Sequence, residues 1–199
     1  MNLSKLFEMQ AKLDAYIERK HPRKENEDRL VKKILAFQVE LGELANEWRG
    51  FKFWSNDQKP RMEKEVFCTV CDGTGTPLGI PEESGVNCYQ CDGEGFYFIN
   101  PLLEEYVDCL HFLLSIGLEN EVGTFTGEEL MTIKMGTIEM QFITLFKVTV
   151  TFLEDISYYQ EMWELFVGLG EMLGFTWEEI EQVYLQKNAE NHRRQKVGY

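Results

Sequence analysis

Apolar residues recur at helical spacing along most of this chain. A first amphipathic helix is predicted over residues 3–20, on the apolar positions Leu3, Leu6, Phe7, Leu13 and Ile17. His21-Pro22 ends it, because proline cannot continue a helix. A second helix is predicted over residues 28–48, on a stripe made of Leu30, Ile34, Phe37, Leu41, Leu44 and Trp48.

Capping residues predict where two later helices begin. Asn100 followed by Pro101 is typical of an N-cap and a first helical position, and predicts a helix that runs to about Glu121. Thr176 with Glu179 three residues later predicts a capping box, at the start of a last helix that runs to about residue 194.

Between these two helices, residues 128–166 are rich in Met, Phe and Leu on more than one side. We predict one long helix here, preceded by Gly123 and Gly127 and ended by Gly168, Gly170 and Gly174. A helix that is apolar over much of its circumference is buried, so we expect it in the core or at an interface between two copies. The elements together predict an all-α helical bundle.

Residues 67–98 interrupt the helical pattern. Two CxxC pairs lie here, Cys68 with Cys71 and Cys88 with Cys91, each followed by Asp-Gly-x-Gly. Their spacing is typical of a four-thiolate Zn²⁺ site, which is coordinatively closed and therefore structural. The segment also resembles the CxxCxGxG zinc modules of J-domain chaperones. We predict a zinc ribbon at residues 67–98, inserted into a helical domain formed by residues 1–66 and 99–199.

Composition narrows the class of protein. Of the 199 residues, 44% are hydrophobic, which indicates a globular chain, and the net charge is −14. This acidic excess argues against a nucleic-acid polymer or an anionic membrane as partner. The N-terminus lacks the apolar core of a signal peptide, and no apolar run reaches the length of a membrane helix. We therefore expect a soluble, cytoplasmic protein.

Two pairs of acidic residues are the main candidates for chemistry. Glu40 and Glu43 lie in the second predicted helix, and Glu105 and Asp108 in the third. The i, i+3 spacing places each pair on one helix face, and four carboxylates from two packed helices can hold Mg²⁺. The alternative is a solvated acidic face, since such pairs arise by chance in a chain with 34 acidic residues.

Three blocks carry a family resemblance, in this order: ELGELANEWRGFKFWS, LLEEYVDCLHFLLSIG and VYLQKNAENHRRQKVGY. They resemble the dimeric all-α dUTPases, which are relatives of the MazG-type nucleotide pyrophosphohydrolases. The resemblance implies a homodimer that hydrolyses dUTP to dUMP and pyrophosphate with Mg²⁺.

The same resemblance implies roles for the acidic pairs. Mg²⁺ bound to Glu40, Glu43, Glu105 and Asp108 would bridge the triphosphate oxygens and hold the water that attacks phosphorus. Glu43 is favoured as the base; Glu40 and the other ligands stay open for this role. Glu47 is a further candidate, with an ion pair to Arg49 or Lys52 as its alternative.

Base recognition is implied for the first helix and the aromatic loop. Gln10 stands where the family has a Gln that hydrogen-bonds the uracil edge, and Asp14 stands where many members have Asn. A carboxylate cannot donate a hydrogen bond, so this departure leaves the base open, and a MazG-like enzyme for another nucleotide such as dCTP is an alternative. Trp54 would cover the uracil ring, or else be an ordinary core Trp.

Residues of the last helix would bind the phosphates and the sugar: Lys187, Asn188, Asn191 and Arg194. Their alternative is a plain basic helix end, where cations are favoured by the helix dipole. A non-enzymatic hypothesis also stays open, in which the chain is a zinc-ribbon interaction protein with solvated acids. His111 and Cys109 lie among apolar residues and are interpreted as core.

Overall fold

A computed structural model describes residues 3–120 and 131–198. Within these residues the chain forms six α-helices and two short strands, which confirms the all-α prediction. The helices are α1 (Leu3–Lys20), α2 (Arg29–Trp48), α3 (Pro101–Glu119), α4 (Ile138–Thr151), α5 (Tyr158–Leu173) and α6 (Trp177–Val197). The strands are β1 (Lys64–Phe67) and β2 (Phe96–Ile99). No helix in the described ranges has the length and apolar character needed to cross a membrane.

The predicted helix starts agree with the capping bonds. Asn100 Oδ1 accepts from the Leu103 amide at 3.1 Å, and Pro101 follows as the first helical residue. Thr176 and Glu179 form both halves of the capping box. Asp28 caps α2 by accepting from the Val31 amide at 3.1 Å. These side chains satisfy amides that have no partner within the helix.

The single long helix predicted over residues 128–166 is wrong. α4 ends at Thr151 and α5 begins at Tyr158, with tight turns between them. The Asp155 side chain accepts from the Ser157 amide at 2.9 Å, a local bond that competes with helix formation. The start of the predicted helix, with Gly123 and Gly127, lies outside the described residues.

Gly168 and Gly170 do not end α5 as predicted; the helix continues to Leu173, and Gly174 closes it in the left-handed conformation. Both glycines allow close packing instead. A Cβ at residue 168 would meet the backbone of Ile133, and one at residue 170 would meet the Tyr106 ring. A larger residue at either position would collide with these neighbours, so the close packing of the core requires glycine there.

The core lies where α3 packs against α2 and α5. Tyr106 of α3 stacks on Phe166 of α5 at 4.3 Å between ring centroids, and its hydroxyl donates to the Phe166 carbonyl. Phe37 of α2 is fully buried against the same Phe166 ring. α1 and α6 pack against α3 and against each other. This arrangement places α2 and α3 side by side, with α1 and α6 next to them.

The Cys-rich segment leaves and re-enters the bundle at neighbouring points. β1 and β2 pair antiparallel, Lys64 opposite Ile99 and Phe67 opposite Phe96. Next to the strands, the Arg61 amide donates to the Glu47 carbonyl at 3.0 Å, and the Arg61 carbonyl accepts from the Leu102 amide at 3.1 Å. The division into an insert at residues 67–98 and a helical domain stays a prediction.

Candidate active site

Carboxylates from α2 and α3 converge. Glu40, Glu43 and Glu105 each place an oxygen within 4.8 Å of the others. Glu40 and Glu105 are partly buried, whereas Glu43 is exposed. The convergence follows from the packing of α2 on α3, because each acid lies mid-helix beside the buried stripe. An all-oxygen cluster of this kind suits a hard divalent cation.

Negative charge is crowded in this cluster. Burial, together with repulsion from Asp108 and Glu43, raises the pKa of Glu40 to about 7. The pKa of Glu105 is likewise raised to about 7 by burial and by Asp108. Such shifts mean that the ionised forms lack sufficient positive charge nearby. A bound cation would supply that charge, so the residues fit the metal that the sequence predicts.

Asp108 has a cation of its own. Its Oδ2 lies 2.5 Å from Lys187 Nζ of α6, and both side chains are partly buried. Burial raises the pKa of Asp108, and Lys187 opposes that rise. Asp108 is therefore next to the cluster but engaged in an ion pair. This pair joins the acidic face of α3 to the middle of α6.

The other predicted residues of α6 lie on the same side. Asn191 and Arg194 line a cavity that Asp108 and Glu40 also line. Asn188 is buried, and its Nδ2 has no hydrogen-bond partner in the described part of the chain. Glu190 binds the Arg194 guanidinium at 3.2 Å and so limits where it can reach.

The cavity has a volume of about 900 Å³ and lies between α1, α2, α3 and α6. This is within the size range of small-molecule sites. Gln10 and Asp14 of α1 line it, together with His111 and Ser115 of α3. One cavity is therefore lined by two of the predicted base-recognition residues, Gln10 and Asp14, and by two of the predicted metal ligands, Glu40 and Asp108.

Gln10 and Asp14 belong to one hydrogen-bond network. Gln10 Nε2 donates to Asp14 Oδ1 at 2.7 Å, and Asp14 Oδ2 accepts from the Ser115 hydroxyl at 2.5 Å. Gln10 Oε1 accepts from the Tyr184 hydroxyl at 3.0 Å and lies 2.8 Å from His111 Nδ1. His111 is buried, as the sequence suggests, but it belongs to this network, a role that sequence reasoning missed. Its position three residues after Asp108 was the available signal.

Trp54 lies apart from this cavity. Its side chain is 65% exposed and packs edge-on against Phe51 and Phe53 in the loop after α2. It is not part of the cavity wall that the structure describes. A core position for Trp54 is therefore wrong, and its role in covering the base stays a prediction.

Glu47 has a different partner from the one expected. Its Oε1 lies 3.4 Å from the Arg61 guanidinium, while Arg49 pairs with Asp57 at 3.0 Å. An ion pair of Glu47 with Arg49 is therefore wrong. Glu47 Oε2 is buried without a hydrogen-bond partner among the described residues.

The second cluster of potential metal ligands lies in the Cys-rich segment between β1 and β2. Cys68, Cys71, Cys88 and Cys91 are buried free thiols, and their sulfurs lie within 4.8 Å of one another. The amides of Gly75 and Gly95 donate to the sulfurs of Cys71 and Cys91 at 3.3 and 3.2 Å.

The two knuckles of the insert pack closely through glycine. A Cβ at Gly75 would meet the backbone of Gly93, and one at Gly95 would meet that of Gly73. Both Gly75 and Gly95 also have positive φ, which glycine adopts without strain. The glycines of the motif therefore bring the sulfurs together. Four buried sulfurs fit a soft, tetrahedral metal such as Zn²⁺.

Comparison with known proteins identifies a family that this chain matches. A family model described as dUTPase matches residues 2–73 and 99–199, which omits Cys88 and Cys91 but includes every candidate residue of the cavity and the carboxylate cluster. No curated protein matches the chain. The family match spans most of the sequence and confirms the resemblance seen in the three sequence blocks. The chain belongs to the all-α dUTPase family, and it is a dUTP diphosphatase, a hydrolase with a nucleotide substrate.

Proposed function

We propose that this chain hydrolyses dUTP to dUMP and pyrophosphate with Mg²⁺ held by Glu40, Glu43, Glu105 and Asp108. Convergence of three carboxylates within 4.8 Å between α2 and α3 is the observation that carries this proposal. Family membership supplies the substrate, and the cluster supplies the place where its phosphates would meet a cation. Mg²⁺ suits the cluster because it takes oxygen ligands and keeps several waters.

Bound Mg²⁺ would make a water more acidic and would neutralise charge on the phosphate oxygens. The attacking water also needs a side chain that accepts its proton. Glu43 is exposed, unlike Glu40 and Glu105, so its carboxylate is the most accessible acceptor for a proton from the attacking water.

Lys187 would change partners when substrate binds. In the structure it neutralises Asp108 at 2.5 Å. If Asp108 held a cation, the ammonium group of Lys187 would be available for a phosphate oxygen. Arg194, Asn191 and Asn188 lie on the same side of α6 and would extend this contact along the triphosphate and the sugar.

Pyrophosphate release from dUTP, dCTP and dTTP, measured with and without Mg²⁺, tests the proposal. We expect turnover of dUTP that requires Mg²⁺ and is lost again when a chelator is added. Preference for dCTP would favour the MazG-like alternative. Turnover that does not change on metal removal would contradict the role of the carboxylate cluster.

We also propose that the four cysteines hold one structural Zn²⁺. The support is the burial of all four sulfurs and their mutual distances. A four-thiolate site has no open position for substrate, so this metal would stabilise the insert and take no part in hydrolysis.

A homodimer is the third part of the proposal. Apolar side chains are exposed along α2, at Val31, Leu35 and Val39, and along the neighbouring α4, at Met140, Ile143 and Val150. Exposed apolar stripes on adjacent helices are typical of protein interfaces. Light scattering after gel filtration should give twice the chain mass for the wild type and the single mass for Ile143→Glu. A monomeric wild type would contradict this part.

A further inference from the structure

The cavity adjoins a network of buried and partly buried polar side chains that the steps above leave without a role: Gln10, Asp14, His111, Ser115 and Tyr184, with Lys33 beside them. We propose that Asp14 orients the Gln10 amide and thereby determines which ring nitrogen of His111 carries the proton. His111 Nε2 is then a hydrogen-bond acceptor that favours a pyrimidine with an N3–H group and disfavours cytosine. The specificity part rests on the proposed function; the orientation part does not.

Asp14 is the fixed point of the network. Its carboxylate accepts from Gln10 Nε2 at 2.7 Å and from the Ser115 hydroxyl at 2.5 Å, and Lys33 Nζ lies 3.3 Å away. A carboxylate has no hydrogen to offer. It therefore requires the NH₂ end of the Gln10 amide to face it.

The orientation of Gln10 determines the rest of the chain of bonds. With Nε2 turned to Asp14, Oε1 faces Tyr184 and His111, at 3.0 Å from the hydroxyl and 2.8 Å from Nδ1. A carbonyl oxygen only accepts, so the hydrogen between Oε1 and Nδ1 must belong to His111. Asp14 thus acts on His111 through Gln10, as a positioning residue.

His111 is neutral in this environment. Burial, together with the nearby charge of Lys187, lowers its pKa to about 3. The ring stacks on Tyr184 at 4.2 Å between centroids, which holds its plane. A neutral ring with its proton on Nδ1 has a lone pair on Nε2.

That lone pair has no donor. Nε2 is buried without a hydrogen-bond partner among the described residues, although His111 lines the cavity. A buried acceptor without a donor is unfavourable, so the site favours a ligand that brings an N–H group.

Uracil has the complementary pattern. Its N3–H is a donor flanked by two carbonyls, whereas N3 of cytosine is itself an acceptor and would repel Nε2. Gln10 Nε2 has one hydrogen left after its bond to Asp14, and that hydrogen can bind a flanking carbonyl. Thymine shares N3–H with uracil, so this network separates uracil from cytosine and does not separate uracil from thymine.

The orientation is tested by long-range ¹H–¹⁵N NMR of the histidine side chains in the substrate-free protein. The chain has three histidines, and His111→Gln identifies the signals of His111. We expect a single tautomer with the proton on Nδ1 in the wild type and a mixture in Asp14→Ala. Asp14→Asn keeps an acceptor oxygen and should restore part of the wild-type pattern. A proton on Nε2 in the wild type, or an unchanged spectrum in Asp14→Ala, would overturn the proposal.

The specificity is tested by the ratio of kcat/KM for dUTP to that for dCTP. We expect the ratio to fall about tenfold or more in Asp14→Ala, with partial recovery in Asp14→Asn. The ratio of dUTP to dTTP should stay unchanged, which a general loss of packing would not predict. Asp57→Asn, at an exposed aspartate outside the cavity wall, is the matched control.

An altered tautomer with an unchanged ratio would overturn the specificity part alone. Absence of dUTP turnover in the wild type would contradict the proposed function, while the NMR result would still decide the orientation of Gln10.

Discussion

Two clusters of potential metal ligands lie within the described residues, and they are built in opposite ways. The carboxylates project from the middle of two long helices, and Glu43 stays exposed beside a cavity. The thiolates come from tight turns between two short strands, and all four are buried. An open cluster on rigid helices suits a metal that must meet substrate, whereas a closed cluster suits a metal that holds a fold together.

The supports of the two clusters also differ. Beneath the carboxylates lies the main core, including Phe37 and Tyr106, which are fully buried. Beneath the thiolates only Val70 and Tyr97 pack among the residues that the structure describes. The carboxylate cluster is therefore positioned by packing that needs no metal, while the insert has too few apolar contacts to replace one.

The largest expected effect is on the open cluster. Glu40→Gln removes one charged ligand but keeps the side-chain volume, so we expect kcat for dUTP to fall about 100-fold or more. The melting temperature followed by circular dichroism should not fall, because the core beneath is intact. Glu8→Gln, at an exposed acid of α1, is the matched control. Full turnover in Glu40→Gln would contradict the assignment of the cluster.

The second-largest expected effect is the loss of metal from the four-cysteine cluster. We expect Cys88→Ser to lower bound Zn²⁺, measured by mass spectrometry of the metal, from about one per chain to less than half. Proteolysis should then cut within residues 74–95, while the helical signal is kept. Glu83→Gln, at an exposed acid of the insert, should keep its zinc. A variant that loses its helices together with its zinc would show that the two regions depend on each other.

A smaller effect is expected at the ion pair between the helices. Lys187→Met removes the cation that neutralises Asp108, and we expect KM for dUTP to rise about tenfold or more with a smaller change in kcat. Lys187→Arg keeps the charge and should recover much of the affinity. An unchanged KM in Lys187→Met would exclude Lys187 from phosphate binding.

The smallest effect is a pH dependence of stability. The pKa values of Glu40 and Glu105 are raised from 4.5 to about 7, so the folded chain keeps protons in this window that the unfolded chain has released. Without divalent metal, their contribution to stability is therefore present below about pH 4.5 and is lost as pH rises to about 7.

Mg²⁺ needs the ionised carboxylates, so it should raise the melting temperature more at about pH 8 than at about pH 5. Scans at equal ionic strength with Na⁺ are the control. An equal gain at both pH values would argue against binding at these two acids.

Local signals in the sequence predicted much of the fold. Asn100 and Thr176 determine helix starts through bonds to residues within one turn, and Pro101 has a backbone φ suited to the first helical position, so the sequence alone reveals these starts. The sequence did not reveal the break between α4 and α5, because apolar positions continue through it at Phe152 and Ile156. In the structure, the Asp155 side chain accepts from the Ser157 amide there, a local bond that competes with the helix.

The candidate site was predictable in part for the same reason. The spacing of Glu40 with Glu43 identified them as a pair, and the packing of two helices brought Glu105 to them. The bond of Lys187 to Asp108 joins residues that lie far apart along the chain, and no local sequence pattern predicts it. His111 and Gln10 likewise lie far apart along the chain, so the spacing of His111 from Asp108 could suggest a role for it but could not identify Gln10 as its partner.

The backbone bonds of Arg61 bear on how the Cys-rich segment affects the two acid-bearing helices. One peptide segment bonds to the last turn of α2 and to the first turn of α3, and so ties the two acid-bearing helices together before the chain departs. If residues 67–98 form an insert, as the sequence predicts, we expect the spacing of the acids to stay the same when that insert is lengthened or shortened.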